Sequence, residues 1–188
     1  RKVRTKSVDQ VLAELERLLS IGVGNFFFVD DNFIGNRPHV VSLLEAIRHM
    51  VRGLKRPPRF SSQATINLAK DPFLLRLMHE AGMCDLFIGI ETPRVASLQE
   101  TRKYQNAVAD LAGAVHTIQS YGIGVTSGLI VGFDHDDRSI FQEQREFIAR
   151  ANIPFCVPYQ LTALPGTPLY ERLHKEGLSE RVDLRLQD

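Results

Sequence analysis

The sequence predicts an α/β fold, an incomplete TIM-like parallel (β/α) barrel of about five βα units. Three observations lead there: amphipathic helical stretches alternate with short apolar runs, the runs recur roughly every 30 residues, and polar residues stand at the end of each run. Repeated right-handed crossovers of that length place successive strands parallel in one sheet. With 188 residues, 44% of them hydrophobic, the chain can bury a core of its own, and one domain spanning residues 1–188 is expected.

Taken in order, Ser7-Val8-Asp9-Gln10 has the form of a capping box, and Val8, Val11, Leu12, Leu15, Leu18 and Leu19 follow at helical spacing until Gly22. The unbroken run Asn25-Phe26-Phe27-Phe28-Val29 suits a strand covered on both faces and ends on Asp30-Asp31-Asn32. Pro38 opens a helix carried by Val40, Val41, Leu44, Ile47 and Val51, which Gly53 closes. Residues 59–66 read as the second strand. Asp71-Pro72 has the form of an N-cap and first helical residue, with Leu74, Leu75, Leu77 and Met78 as the buried stripe before Gly82. A third strand, 86–90, ends on Glu91. A long loop over 93–103 precedes a helix over 106–121, stopped by Gly122, and a strand over 123–131 that ends on Gly132-Phe133-Asp134. A helix over 138–151, a strand over 155–162 and a short helix after Pro165-Gly166-Thr167-Pro168 complete the pattern.

A formal charge of +1 produces no field that would favour nucleic acid, which leaves a small-molecule substrate as the expected partner. No apolar run approaches the length of a membrane span, and no signal-type stretch follows the basic start, so a soluble cytoplasmic protein is expected. Two cysteines, Cys84 and Cys156, are too few and too far apart for a disulfide framework or a metal knuckle, and free cysteine in such places behaves as a small hydrophobe.

Parallel α/β barrels gather their chemistry at the C-terminal strand ends. There the sequence places Asp30, Asp31 and Asn32, then Gln63, Thr65 and Asn67, Glu91 and Thr92, Asp134 and His135, and Tyr159 to Thr162. Asp134-His135-Asp136-Asp137 has metal-ligating residue types, but a His flanked by Asp ahead of a helix fits a capping loop better.

Four segments, in order and in register with the βα period, resemble motifs of radical S-adenosylmethionine enzymes. They are Phe28-Val29-Asp30-Asp31-Asn32-Phe33, Gly89-Ile90-Glu91-Thr92-Pro93, Gly128-Leu129-Ile130-Val131-Gly132-Phe133 and Leu164-Pro165-Gly166-Thr167-Pro168-Leu169-Tyr170. Within that superfamily the combination is similar to proteins with an N-terminal cobalamin-binding domain. The resemblance implies a [4Fe–4S] cluster held by a Cys-x-x-x-Cys-x-x-Cys loop, S-adenosylmethionine on the cluster's open iron, and release of a 5′-deoxyadenosyl radical. It also allows cobalamin, bound by a domain outside this chain, and implies an electron-donor protein. The segment starting Arg1-Lys2-Val3-Arg4 resembles what directly follows the cysteine loop. Truncation on the N-terminal side is therefore expected, with an inactive fragment that self-associates through an uncovered barrel edge.

By the same resemblance Asp30 or Asp31 faces the methionyl ammonium, and Glu91 accepts hydrogen bonds from the ribose hydroxyls. Gln63 and Thr65 on the preceding strand have a weaker claim as pocket-lining residues, and Gly128 and Gly132 let the backbone approach the nucleoside. Each has a plainer alternative: a turn at Asp31 or Asn32, a strand-end Glu91 paired with Arg94, and ordinary strand or turn glycines. Rival functions are a metal-dependent barrel hydrolase or lyase with Asp30, Glu91 and His135 as ligands, and a noncatalytic α/β interaction domain.

Overall fold

The computed structural model describes residues 4–100 and 110–178. Five parallel strands lie side by side in chain order, β1 (Asn25–Phe27), β2 (Arg59–Ala64), β3 (Met83–Glu91), β4 (Gly124–Val131) and β5 (Phe155–Gln160), and the sheet curls into a half-barrel. Seven α-helices among the described residues flank them: α1 (Val8–Ser20), α2 (Arg37–Val51), α3 (Pro72–Glu80), α4 (Val95–Glu100), α5 (Leu111–Ser120), α6 (Ile140–Arg150) and α7 (Pro168–Lys175).

The capping signals work as the sequence suggests. Ser7 accepts from the Gln10 amide while the Gln10 side chain accepts from the Ser7 amide, and Asp71 accepts from the Leu74 amide ahead of Pro72. Helix α2 begins one residue earlier than Pro38 suggests, because Asn36 caps the His39 amide. Strand β1 stops at Phe27 and β2 at Ala64, where a 3₁₀ turn over Ile66–Lys70 takes over, and β3 starts earlier than expected, at Met83. The loop after Pro93 contains α4, and residues 101–109, the expected start of α5, lie outside the described residues.

Alternation along the strands sorts the core. Phe60, Ser62 and Ala64 on β2, and Leu86, Ile88 and Ile90 on β3, are buried against Leu44, Ile47, Leu75, Met78 and Val115 of the helices. Phe26 and Phe28 lie on this side as well, with ring centroids 5.4 and 5.6 Å from Phe60. The expectation of a strand covered on both faces is corrected at β1. Phe27 is 50% exposed and Val29 88%, because they point to the concave face, which no helix among the described residues covers.

Candidate functional site at the strand ends

Register fixes which residues share the concave face. Ser61, Asp85 and Gly124 form one row, Gln63, Phe87 and Thr126 the next, and Gly89 and Gly128 the one above. Low in the half-barrel the Asp85 carboxylate accepts from the Thr126 hydroxyl at 3.1 Å, and burial pushes its pKa up while that hydrogen bond pulls it down. A side chain at Gly124 would crowd that carboxylate, since a Cβ there would lie 2.9 Å from Asp85 Oδ1.

Above them the ring of Phe87 leans over Gly128, where an added Cβ would come within 2.8 Å of Cζ. Packing against Phe87 thus accounts for a glycine at this position. Gly132 is needed for a different reason, a left-handed backbone at φ +102°.

Glu91 ends β3 with an irregularity in the ladder: pairing passes from Gly89 opposite Gly128 directly to Glu91 opposite Leu129. Its φ is +71°, a conformation in which a glutamate is strained, and it is 9% exposed. Thr92, fully buried, follows, and its hydroxyl accepts from the Arg94 amide at 3.2 Å.

Arg94 is the cation that sequence reading set beside Glu91. Its guanidinium grips Glu143 of α6 with two prongs, Nε at 3.1 Å and Nη2 at 2.5 Å. It also donates to the His135 carbonyl at 2.6 Å and to Ser139 Oγ at 2.6 Å, and lies 3.4 Å from Asp137. The hydrogen bond from Arg94 holds the Glu143 carboxyl below its ordinary range, and hydrogen bonds from Ser139 do the same for Asp137. A few residues on, Asp136 accepts from Ser97 Oγ at 2.9 Å and from the amides of Gly132 at 2.9 Å and Phe133 at 3.1 Å. The segment 134–137 is therefore a loop brace and cap. Among the described residues no three His, Cys, Asp or Glu side chains gather as a metal site, which removes support from Asp30, Glu91 and His135 as ligands.

Asp30 and Asp31 are both exposed. Asp30, and not Asp31, lines a cavity of about 460 Å³ between β1, α1 and α2, whose walls include Leu15, Phe28 and His39. Gln63 is half-buried on the concave face, two rows below the end of β3. The structure thus brings Gln63, Gly128 and the β3 end onto neighbouring strands, with Asp30 two strands away. Sequence reading missed Phe87 and Ser97, and it placed Arg94 beside Glu91 and Asp136 in a capping loop without the partners distant in the chain, Glu143 and Ser97, that the structure gives them.

A [4Fe–4S] cluster does not fit the cysteines present. Cys84 lies at the opposite end of β3 from Glu91, where it donates to the Phe60 carbonyl at 3.3 Å, and Cys156 is half-buried on β5 with its thiol pushed up by burial.

Residues 1–148 match the Radical SAM superfamily, and the chain belongs to it. It is 41% identical over 181 residues to the hopanoid C-2 methylase of Rhodopseudomonas palustris (strain TIE-1), covering 94% of this chain and 34% of that protein. It is 38% identical over 178 residues to the uncharacterized methyltransferase sll1242 of Synechocystis sp. (strain ATCC 27184 / PCC 6803 / Kazusa), covering 94% and 33%. The chain therefore spans about a third of the length of the curated relatives it matches. In fold it is similar to the radical S-adenosylmethionine methyltransferase TsrM of Kitasatospora setae, solved with cobalamin and a [4Fe-4S] cluster bound, with a TM-score of 0.73 at 17% identity over 96% of this chain and 36% of that one.

Proposed function

We propose that this chain is part of the catalytic domain of a radical S-adenosylmethionine methyltransferase, and that Glu91 binds the nucleoside end of the cosubstrate. The observation that carries this is a buried glutamate held in a left-handed conformation at the end of a central strand. Strain of this kind, about 1–3 kcal/mol, persists where function requires the side chain, since glycine would occupy the same backbone without it. Methyl transfer is favoured because both curated relatives named above are methylating enzymes.

In this reading Glu91 accepts hydrogen bonds from the ribose diol, Gln63 and Phe87 shape the wall below it, and Asp30 or Asp31 stands near the methionyl ammonium. Gly132, left-handed at the end of the adjacent strand, keeps backbone rather than side chain toward the ligand. The family's cluster, when bound, supplies the electron that opens a carbon–sulfur bond of S-adenosylmethionine. Its three thiolates come from outside these 188 residues, as does any cobalamin site. An electron-donor protein and a cytoplasmic location belong to the same proposal. No described helix is long and apolar enough to cross a membrane.

The test compares the 188-residue chain with the full-length protein, both supplied anaerobically with iron, sulfide and a reductant. Only the longer protein should acquire a [4Fe–4S] spectrum and form 5′-deoxyadenosine or methylated product. Product from the short chain would overturn the ligand assignment, and none from a cluster-loaded long chain would overturn the proposed activity.

A further inference from the structure

The end of β3 is strained, and something must hold it. Left alone, a glutamate at φ +71° would relax toward the ordinary β or α region, so the surrounding contacts have to over-determine it. Two polar ties do so, both crossing from the segment after Glu91 to the segment after β4. In the first, the Arg94 guanidinium binds Glu143, Ser139 and the His135 carbonyl, while its own amide donates to Thr92, the neighbour of Glu91. In the second, Ser97, fully buried on α4, donates to Asp136, which also accepts from the Gly132 and Phe133 amides. The two left-handed positions at the ends of β3 and β4, Glu91 and Gly132, are thus fixed by one network.

We infer that Arg94 is a positioning residue for cosubstrate binding, acting through Glu91 by locking the β3 end against the β4–α6 loop. Lysine cannot replace it fully, because a two-pronged grip on Glu143 with a third contact to a carbonyl needs the planar fork of a guanidinium. Arg94 is also more shielded than an ordinary surface cation, its side chain 15% exposed against 40% for Glu143, and its donors reach three residues of the β4–α6 loop and α6, His135, Ser139 and Glu143. The inference rests on the assignment of Glu91 to the ribose of S-adenosylmethionine.

The experiment is a double-mutant cycle on the full-length, cluster-loaded protein. Equilibrium binding of S-adenosylmethionine and amide hydrogen exchange are measured for Glu91→Gln, Arg94→Gln and the double variant. Glu91→Gln should weaken binding roughly tenfold. Arg94→Gln should weaken it at least about threefold and speed exchange over residues 90–94 and 132–133. In the Glu91→Gln background, Arg94→Gln should cost no further affinity, because its effect passes through the carboxylate. Arg94→Lys, expected to move both readouts in the same direction by less, serves if Arg94→Gln does not fold. Additive losses, or unchanged exchange over 90–94, would overturn the positioning role while leaving Glu91 as a ligand. Undiminished binding by Glu91→Gln would overturn the ribose assignment itself, and the role of Arg94 with it.

Discussion

Replacing Glu91 by glycine and, separately, by alanine isolates the backbone strain at the β3 end. Both variants lose the carboxylate and its burial, so they differ only in the Cβ that alanine retains. In an ordinary strand interior glycine is the worse of the two by about 0.5–1 kcal/mol, because it has more backbone freedom to lose on folding. At φ +71° the order should invert. A left-handed L-residue costs about 1–2 kcal/mol and glycine is spared it, so after the entropic offset the glycine variant should be the more stable by about 0.5–1 kcal/mol. For a chain of this size that corresponds to a melting temperature roughly 1–4 °C above that of Glu91→Ala. Thermal denaturation of the two purified variants side by side is the assay. If the alanine variant melts at or above the glycine variant, the left-handed turn is not maintained in solution and the reading of Glu91 as a strained functional residue fails.

Gly128→Ala would push a methyl against the Phe87 ring and should destabilise by about 1–3 kcal/mol in chemical denaturation. Phe87→Leu in the same chain should recover much of the loss, and a neutral Gly128→Ala with Phe87 intact would refute the packing explanation. Because burial raises the folded pKa of Asp85 above its ordinary 3.8, the fold holds that proton more tightly than the unfolded chain does. Stability should therefore fall as pH rises from 3.8 through the folded value and stay lower beyond it. Asp85→Asn should raise the melting temperature at pH 7, with the gain fading below pH 3.8, and a loss at pH 7 would mean the carboxylate is needed where it is. The 188-residue chain should self-associate in light scattering through the exposed β1 face. Val29→Lys should reduce the apparent mass, and a monomer at high concentration without that substitution would count against the open edge.

The fold was legible because its signals are local. The Ser7 box, the Asp71-Pro72 start and the recurring apolar runs each depend on residues a few positions apart, and together they forced a parallel βα array. The site was legible only as a set of strand ends. That Glu91 is left-handed cannot be read from Gly-Ile-Glu-Thr, since nothing in those residue types demands a positive φ. The apolar run at β1 suggested two covered faces because composition records hydrophobicity, not which side a helix comes to occupy. The functional reading of Gly128 missed a ring 41 residues away in sequence and one strand away in space.

The strain and the bracing also fall where the sheet is best supported. Strands β3 and β4 are its two longest, each has a neighbour on both sides, and a residue with positive φ ends the first, Glu91, and directly follows the second, Gly132. The edges differ: β1 has three residues and leads to exposed Val29 and Asp30, while β5 shows Phe155 and Tyr159 to solvent. A ligand group that must be placed to within a fraction of an ångström is better served by strands paired on both sides than by a short, exposed edge. The central position of Glu91, tied through Thr92 and Arg94 to the β4 end, meets that need, and Asp30, exposed in the loop after the edge strand, does not. Of the acidic residues proposed for the cosubstrate, Glu91 should therefore carry more of the affinity. Glu91→Gln should weaken S-adenosylmethionine binding more than Asp30→Asn or Asp31→Asn in the same full-length protein, and the reverse order would move the anchor of the site to β1.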